Sequence, residues 1–182
     1  MRITGGTYCG RTLRMPPGDV RPTMDRMRES FFAMLGPLDG IRFLDLFGGS
    51  GVVAVEAVSR GAREVVTVER DRRNARVVRE NISLAEGAVT ALFQPVERYV
   101  MTAKKAFDII YIDPPFDYRH SADLLNRIGR SKLLHASTLV LIHHAGIDLG
   151  EPALMLHVQR KRYGKSHLDI FRAAFAPEQT KW

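Results

Sequence analysis

The residues best suited to chemistry are Asp113-Pro114-Pro115-Phe116, which directly follow the apolar run "FDIIYI". Each proline fixes its own φ and restricts the preceding residue to extended conformations, so the Asp113 carboxylate and the Pro114 carbonyl become two acceptors at a fixed separation. Two such acceptors can hold the hydrogens of an amine on a nucleobase, and Phe116 offers a flat face on which the base stacks. The pattern predicts a site that orients a planar amine towards an electrophile, with Asp113 stabilising the positive charge that builds on nitrogen.

A second candidate site is the glycine-rich stretch "LDLFGGSGVVA", residues 44–54. Its glycines allow a tight turn and a close approach of the backbone to a ligand. Glu69 lies eighteen residues past Gly51, at the end of the next apolar run. A carboxylate at that place can accept hydrogen bonds from both hydroxyls of a ribose. The two features together predict a nucleoside-like cofactor.

The identity of that cofactor depends on Asp45, which precedes the glycines. Like charges repel, so a carboxylate here suits a cofactor with a cationic amino-acid end better than a pyrophosphate. S-adenosylmethionine carries an α-amino group and a sulfonium at that end. Residues 49–54 also fit the loose G-x-G-x-x-A dinucleotide pattern, which keeps an NAD-dependent oxidoreductase as an alternative.

These residues need a scaffold, and stretches typical of strands and helices alternate along most of the chain. Continuous apolar strands between helices predict a doubly wound, mostly parallel α/β sheet covered on both faces. In such a sheet ligands lie beyond the carboxyl ends of the strands, so we expect Asp113 to face the same cleft as Asp45 and Glu69. The final segments "ALMLHVQRKRY" and "SHLDIFRAAF" leave no room for a helix and predict an antiparallel hairpin.

Composition indicates the kind of partner. The 182 residues include 27 basic and 20 acidic side chains, which gives a formal net charge of +7. This charge favours a polyanionic binding partner, first a nucleic acid and second an anionic membrane. Cys9 is the single cysteine, which excludes an internal disulfide and a cysteine zinc site. The N-terminus has no apolar core typical of a signal peptide, and no apolar run has the length of a membrane span. We therefore expect a cytoplasmic location.

The order of five motifs resembles one bacterial family. The segments "RPTMDRMRE", "LDLFGGSG", "VERD", "IDPPF" and "RYGKS" follow one another as in the methyltransferases that modify the exocyclic N2 of a guanine in 16S ribosomal RNA of the small subunit. The resemblance implies a seven-stranded, Rossmann-like sheet with an antiparallel last strand. It also implies S-adenosylmethionine as cofactor and 16S rRNA as partner, within an assembling 30S subunit, without a membrane or a metal.

The resemblance assigns roles to individual residues. The base-amine site is Asp113, Pro114, Pro115 and Phe116. The cofactor site comprises Asp45, Phe47, Gly48, Gly49, Ser50, Gly51, Glu69 and Arg70. Substrate RNA is expected to contact Arg11, Arg14, Arg21, Thr23, Arg26, Arg162, Tyr163 and Lys165. Arg28 is grouped with the basic residues near the start, since clustered cations bind phosphates without reading sequence.

Two domains are predicted, a basic N-terminal hairpin or arm over residues 1–24 and a methyltransferase domain over residues 25–182. The first is rich in glycine, proline and arginine, which disfavours a packed helix.

The chain departs from the family pattern in three places. Gly48 stands where the family usually has alanine, a mild change because glycine is the more permissive residue. Gln94-Pro95 replaces the usual Gly-Asp, so the adenine contact must differ, through Gln94 or Glu97. His143-His144 stands where an acid is frequent. Adjacent strand residues point to opposite faces, so these histidines cannot both bind one metal, and we interpret them as structural.

Alternatives remain open. The same amine chemistry serves a methyltransferase acting on adenine N6 or guanine N2 in DNA or in another RNA. A non-catalytic RNA-binding module is disfavoured by the intact Asp113–Phe116 motif, since binding alone does not need those acceptors.

Overall fold

A computed structural model describes residues 1–16 and 25–174. Helices and strands alternate in the predicted order. The elements are α1 (Asp25–Leu35), β1 (Arg42–Leu46), α2 (Val52–Ser59), β2 (Glu64–Glu69), α3 (Ala75–Ile82), β3 (Val89–Phe93), α4 (Val96–Thr102), β4 (Ile109–Ile112), α5 (Ser121–Gly129), β5 (Leu139–His144), β6 (Met155–Tyr163) and β7 (Ser166–Ala173). Single 3-10 turns, Arg72–Asn74 and Ser83–Ala85, flank α3.

The strands form one seven-stranded sheet in the order β3-β2-β1-β4-β5-β7-β6. Strand β1 runs parallel to β2, β2 to β3, and β4 to β5. Strand β7 is antiparallel to β5 and to β6. The predicted α/β class, the mostly parallel doubly wound sheet and its antiparallel last strand are confirmed.

The chain divides into two compact units, and the first spans Met1–Val96. Its strands are in register so that Asp45 lies opposite Thr67 and Leu46 opposite Val68. Helix α2 is apolar almost throughout and buries every residue from Val52 to Ala57. That run includes Glu56, a charge which needs partners in the interior.

The N-terminal segment belongs to this first unit. An antiparallel bridge joins Arg2 to Thr12, and the side chains of Ile3 and Leu13 are buried. The backbone N–H of Thr7 donates to the carbonyl of Ser59 at the end of α2. The segment thus has the paired form expected of a hairpin. Residue 24 lies outside the described residues, and the predicted boundary between residues 24 and 25 stays a prediction.

The second unit begins at Glu97. Its parallel pair places Ile112 opposite Ile142, and its antiparallel hairpin β6–β7 turns at Gly164, where φ is 61°. Side chains of β4 are buried throughout, as expected for a strand covered on both faces. In the ranges 1–16 and 25–174, no helix has the length and apolarity needed to cross a membrane.

Candidate active site

The glycine loop connects β1 to α2 through a series of left-handed residues. Positive φ angles occur at Phe47 (64°), Gly49 (55°) and Gly51 (78°). The N–H of Gly51 donates to the carbonyl of Gly48 over 2.8 Å, which closes the turn before the first residue of α2. A non-glycine residue such as Phe47 adopts this conformation only where the surroundings enforce it, and such residues cluster at ligand sites.

The Asp45 carboxylate lies below this loop and is 1% exposed. Its Oδ2 accepts a 2.9 Å hydrogen bond from the hydroxyl of Thr67 on β2. A carboxylate in the interior needs such hydrogen-bond partners. The predicted contact of Asp45 with a cationic amino-acid end stays a prediction.

Thr67 also explains Gly48, through a packing reason that the sequence argument about permissiveness did not contain. Gly48 is not among the positive-φ residues, so its backbone does not require glycine. A β-carbon at position 48 would overlap the Thr67 hydroxyl and lie 3.2 Å from Asp45 Oδ2. Glycine is needed here because Thr67 already fills the space.

Glu69 ends β2 and supports the loop. Its Oε2 accepts from the N–H of Gly49 over 2.9 Å, and its Oε1 accepts from the N–H of Asp71 over 2.7 Å. Each carboxylate oxygen has two acceptor positions, so these bonds are compatible with ribose hydroxyls as further donors. The neighbouring Arg70 is exposed.

The loop is joined to the N-terminal segment through Asn81 of α3, which sequence reasoning missed. The buried Asn81 side-chain amide donates to the carbonyls of Ser50 and Arg14, each over 2.9 Å, and its Oδ1 accepts from the N–H of Arg14. The sequence signal that could have indicated it is an asparagine three residues after Val78, on the helix face that the structure buries.

Arg28 is not a phosphate-binding residue, and that prediction is wrong. It is 0% exposed, and its Nε lies 2.6 Å from Glu56 Oε2. Its guanidinium also donates to the carbonyl of Arg2, while the hydroxyl of Thr4 and the guanidinium of Arg60 donate to Glu56. This buried network fastens α1 and the N-terminal segment to α2.

In the second unit, Asp113 directly follows β4, and each of its carboxylate oxygens lies within hydrogen-bond distance of another side chain. His143 Nδ1 lies 2.8 Å from Oδ1, and the Tyr111 hydroxyl lies 3.3 Å from Oδ2. Phe116 is 47% exposed, and its ring meets that of His143 edge-on at 5.6 Å. Pro114 is buried and Pro115 exposed, and the Pro115 carbonyl accepts from the N–H of Tyr118.

Glu97, one of two residues considered for the adenine contact, accepts a 2.6 Å hydrogen bond from the Tyr118 hydroxyl. Burial, followed by that hydrogen bond, raises the pKa of Tyr118, which keeps the phenol protonated. The adenine contact stays a prediction for both Gln94 and Glu97.

His144 points into a different cluster, around the buried Asp169. Its Nδ1 accepts from the N–H groups of Gly146 and Ile147, so Nε2 carries the hydrogen that is donated to Asp169 over 2.9 Å. Burial lowers the pKa of His144 despite the opposing effect of Asp169. Burial tends to raise the pKa of Asp169, but hydrogen bonds, first from Arg160, lower it to about 2. His144 is therefore structural, as interpreted.

Within the described part of the chain, no three histidine, cysteine, aspartate or glutamate side chains are grouped so that they could hold a metal ion.

The residues predicted to bind RNA lie in two places. Arg11, Arg14 and Arg26 are exposed in the first unit, with Arg11 stacked 5.7 Å from the ring of Tyr8. At the β6–β7 turn, Arg162 and Lys165 are exposed and Tyr163 is half-buried. Arg21 and Thr23 lie outside the described residues. The RNA contacts of all eight remain predictions.

The sheet order, the glycine loop and the Asp113–Phe116 turn define a Rossmann-like methyltransferase. The family model described as conserved hypothetical protein 95 matches residues 1–172, and the chain belongs to this family of methyltransferases. YlbH of Bacillus subtilis, whose name places it among rRNA methyltransferases, is 34% identical over 181 residues, 94% of this chain and 98% of that one.

Two further comparisons agree. Ribosomal RNA small subunit methyltransferase D of Escherichia coli K12 is 35% identical over 158 residues, 85% of this chain and 79% of that one. A solved structure of the E. coli protein yhhF, named as a methyltransferase, superposes with a TM-score of 0.84 at 27% identity, covering 95% of this chain and 97% of that one.

Proposed function

We propose that the protein transfers a methyl group from S-adenosylmethionine to the exocyclic N2 of a guanine in 16S rRNA. The observation that carries this proposal is the Asp113 carboxylate, which is held by His143 and Tyr111 beside the half-exposed ring of Phe116. The names of the E. coli and B. subtilis relatives support the rRNA substrate.

The first unit would hold the cofactor, because its residues fit the chemistry of S-adenosylmethionine. Buried Asp45 suits the cationic amino-acid end, Glu69 suits the ribose, and the turn from Phe47 to Gly51 admits close backbone approach. Ser50 and Arg70 border these groups. When bound, S-adenosylmethionine supplies an electrophilic methyl group on its sulfonium.

The second unit would hold and activate the base. The Asp113 carboxylate and the Pro114 carbonyl accept the two hydrogens of the guanine amine, which favours the pyramidal geometry needed for attack. The Asp113 charge then stabilises the positive charge that develops on nitrogen. Phe116 stacks on the base and fixes its plane. Pro115 restricts Pro114 to extended backbone and keeps the acceptors at their separation.

The basic side chains would bind the RNA backbone. Arg11, Arg14 and Arg26 supply cations in the first unit, and the β6–β7 turn supplies others, with Tyr163 beside them. Arg21 and Thr23 belong to the same proposed contact set. Contacts of this type position a substrate without reading its sequence, so we propose that a preformed surface of an assembling 30S subunit contributes to selectivity. Such a substrate places the protein in the cytoplasm.

The test is transfer of labelled methyl from S-adenosylmethionine to deproteinised 16S rRNA and to small subunits, both from cells lacking this protein. We expect N2-methylguanosine at a single position. Label only in N6-methyladenine or only in DNA would refute the guanine assignment and favour the amino-methyltransferase alternative. Binding of NAD without methyl transfer would refute the cofactor assignment.

Asp113→Ala tests whether the two units have separate roles in methyl transfer and in cofactor binding. Methyl transfer should be lost, whereas binding of S-adenosylmethionine, measured by calorimetry, should stay within about twofold, because the cofactor residues belong to the first unit. Asp123→Ala, on the exposed face of α5, is the matched control and should behave like the wild type. Equal loss of cofactor binding in Asp113→Ala would show that the division of roles is wrong.

A further inference from the structure

His143 makes two contacts with the proposed base-amine site. Its Nδ1 lies 2.8 Å from Asp113 Oδ1, and its ring meets Phe116 edge-on at 5.6 Å with an interplanar angle of 66°. The side chain is 10% exposed, so packing fixes its orientation. Register explains the first contact, because Ile112, the last residue of β4, lies opposite Ile142, and the next residues along the chain are Asp113 and His143.

The hydrogen bond defines the tautomer of His143. An ionised carboxylate only accepts hydrogen bonds, so the imidazole hydrogen must be on Nδ1. The other nitrogen, Nε2, is buried without a hydrogen-bond partner among the described residues. A hydrogen on Nε2 would be a buried donor without an acceptor, which is costly. An Nε2 without a hydrogen avoids this cost, which also favours the Nδ1–H tautomer.

We propose that His143 is a positioning residue, which orients the Asp113 carboxylate by donating from Nδ1 and holds the Phe116 ring by its edge. This inference rests on the proposed function. Together with Tyr111 on Oδ2, His143 restricts rotation of the carboxylate about its terminal bond. A carboxylate offers about four acceptor positions, so donors on both oxygens are compatible with hydrogen bonds from an amine.

Two substitutions separate the two contacts. His143→Asn places an amide N–H where Nδ1–H was and removes the ring. His143→Phe keeps an aromatic edge near Phe116 and removes the donor. If the donor orients Asp113, His143→Phe should lower kcat by about ten- to a hundred-fold, the scale expected for a misplaced reacting group, with little change in KM for RNA. His143→Asn should retain most of kcat and raise KM through the loss of the ring contact.

Controls distinguish positioning from a structural role. His135→Asn alters a comparable histidine–aspartate pair, with Asp108, and should change neither constant. Thermal unfolding of each variant reports stability, and His143→Leu replaces the Phe variant if the latter does not fold. Equal loss of kcat in His143→Asn and His143→Phe would overturn the proposal. Wild-type kcat in both His143→Phe and His143→Leu, which lack the donor, would also overturn it.

A readout independent of activity is available. Long-range 1H–15N spectra of the full-length protein labelled at histidine should show Nδ1 protonated in His143 and Nε2 protonated in His144. Protonation of His143 at Nε2 alone would overturn the inference even if the methyl-transfer assay succeeded. The expected tautomer with an inactive wild type would instead count against the proposed function.

Discussion

Gly48→Ala should destabilise the first unit mainly through one neighbour, Thr67. The added β-carbon would overlap the Thr67 hydroxyl, whereas Asp45 Oδ2 at 3.2 Å and Thr67 Cβ at 3.3 Å are tight contacts that need a shift of a few tenths of an ångström. To relieve the overlap, Thr67 must leave its rotamer and lose its hydrogen bond to the buried Asp45. Losing a donor to a buried carboxylate costs about 1–3 kcal/mol, and an off-rotamer side chain costs about 1 kcal/mol more. We expect a loss of about 2–4 kcal/mol in the free energy of unfolding.

Substitutions at Thr67 test that reasoning. Thr67→Ala and Thr67→Val both remove the hydrogen bond, but only alanine removes the atom that meets the new β-carbon. Gly48→Ala should therefore cost little in the Thr67→Ala background. In the Thr67→Val background it should keep the cost of the overlap, about 1 kcal/mol, since a β-branched side chain keeps two atoms on Cβ while the hydrogen bond is already absent.

Urea unfolding gives the free energy of each single and double variant, and the cycle gives the coupling between positions 48 and 67. We expect a coupling of about 2–4 kcal/mol with alanine at 67, which removes both the hydrogen bond and the overlap, and about 1 kcal/mol less with valine, which keeps the overlap. If Gly48→Ala costs the same in both backgrounds, Thr67 does not explain the glycine. The affinity for S-adenosylmethionine should fall with the overlap, since Asp45 moves with Thr67.

Two further predictions concern buried charges. Glu56→Ala should lower the free energy of unfolding by about 3–5 kcal/mol, because the buried Arg28 loses its buried carboxylate partner and keeps the exposed Asp25. Glu80→Ala, which breaks an exposed pair, should cost below about 1 kcal/mol, and equal costs would contradict the burial argument. The pKa of Asp169 is about 2 in the folded state against 3.8 ordinarily, so its stabilisation is complete above pH 4 and is lost as the pH falls through 2. The advantage of the wild type over Asp169→Asn, from urea unfolding, should therefore shrink by about 2 kcal/mol between pH 5 and pH 2; a constant difference would contradict the lowered pKa.

The fold was largely predictable because its signals are local. Apolar runs, glycines and capping residues recur with the periods of strands and helices, and their alternation leaves few topologies for a parallel sheet. The end of α1 follows from Gly36, whose φ is 74°, and the terminal hairpin from Gly164. The conformation of Asp113-Pro114-Pro115 was predictable for the same reason, because each proline restricts the residue directly before it.

The strand-helix alternation, the glycine loop, the Asp113–Phe116 turn and the resemblance to one family could all be identified from the sequence. Tertiary structure alone decided which side chains meet across elements. Thr67 reaches Asp45, and His143 reaches Asp113, because strand register sets them side by side. Arg28 forms a buried ion pair because Glu56 of α2 lies beside it. Such contacts depend on strand register and on packing between distant segments, and neither can be predicted from local sequence patterns.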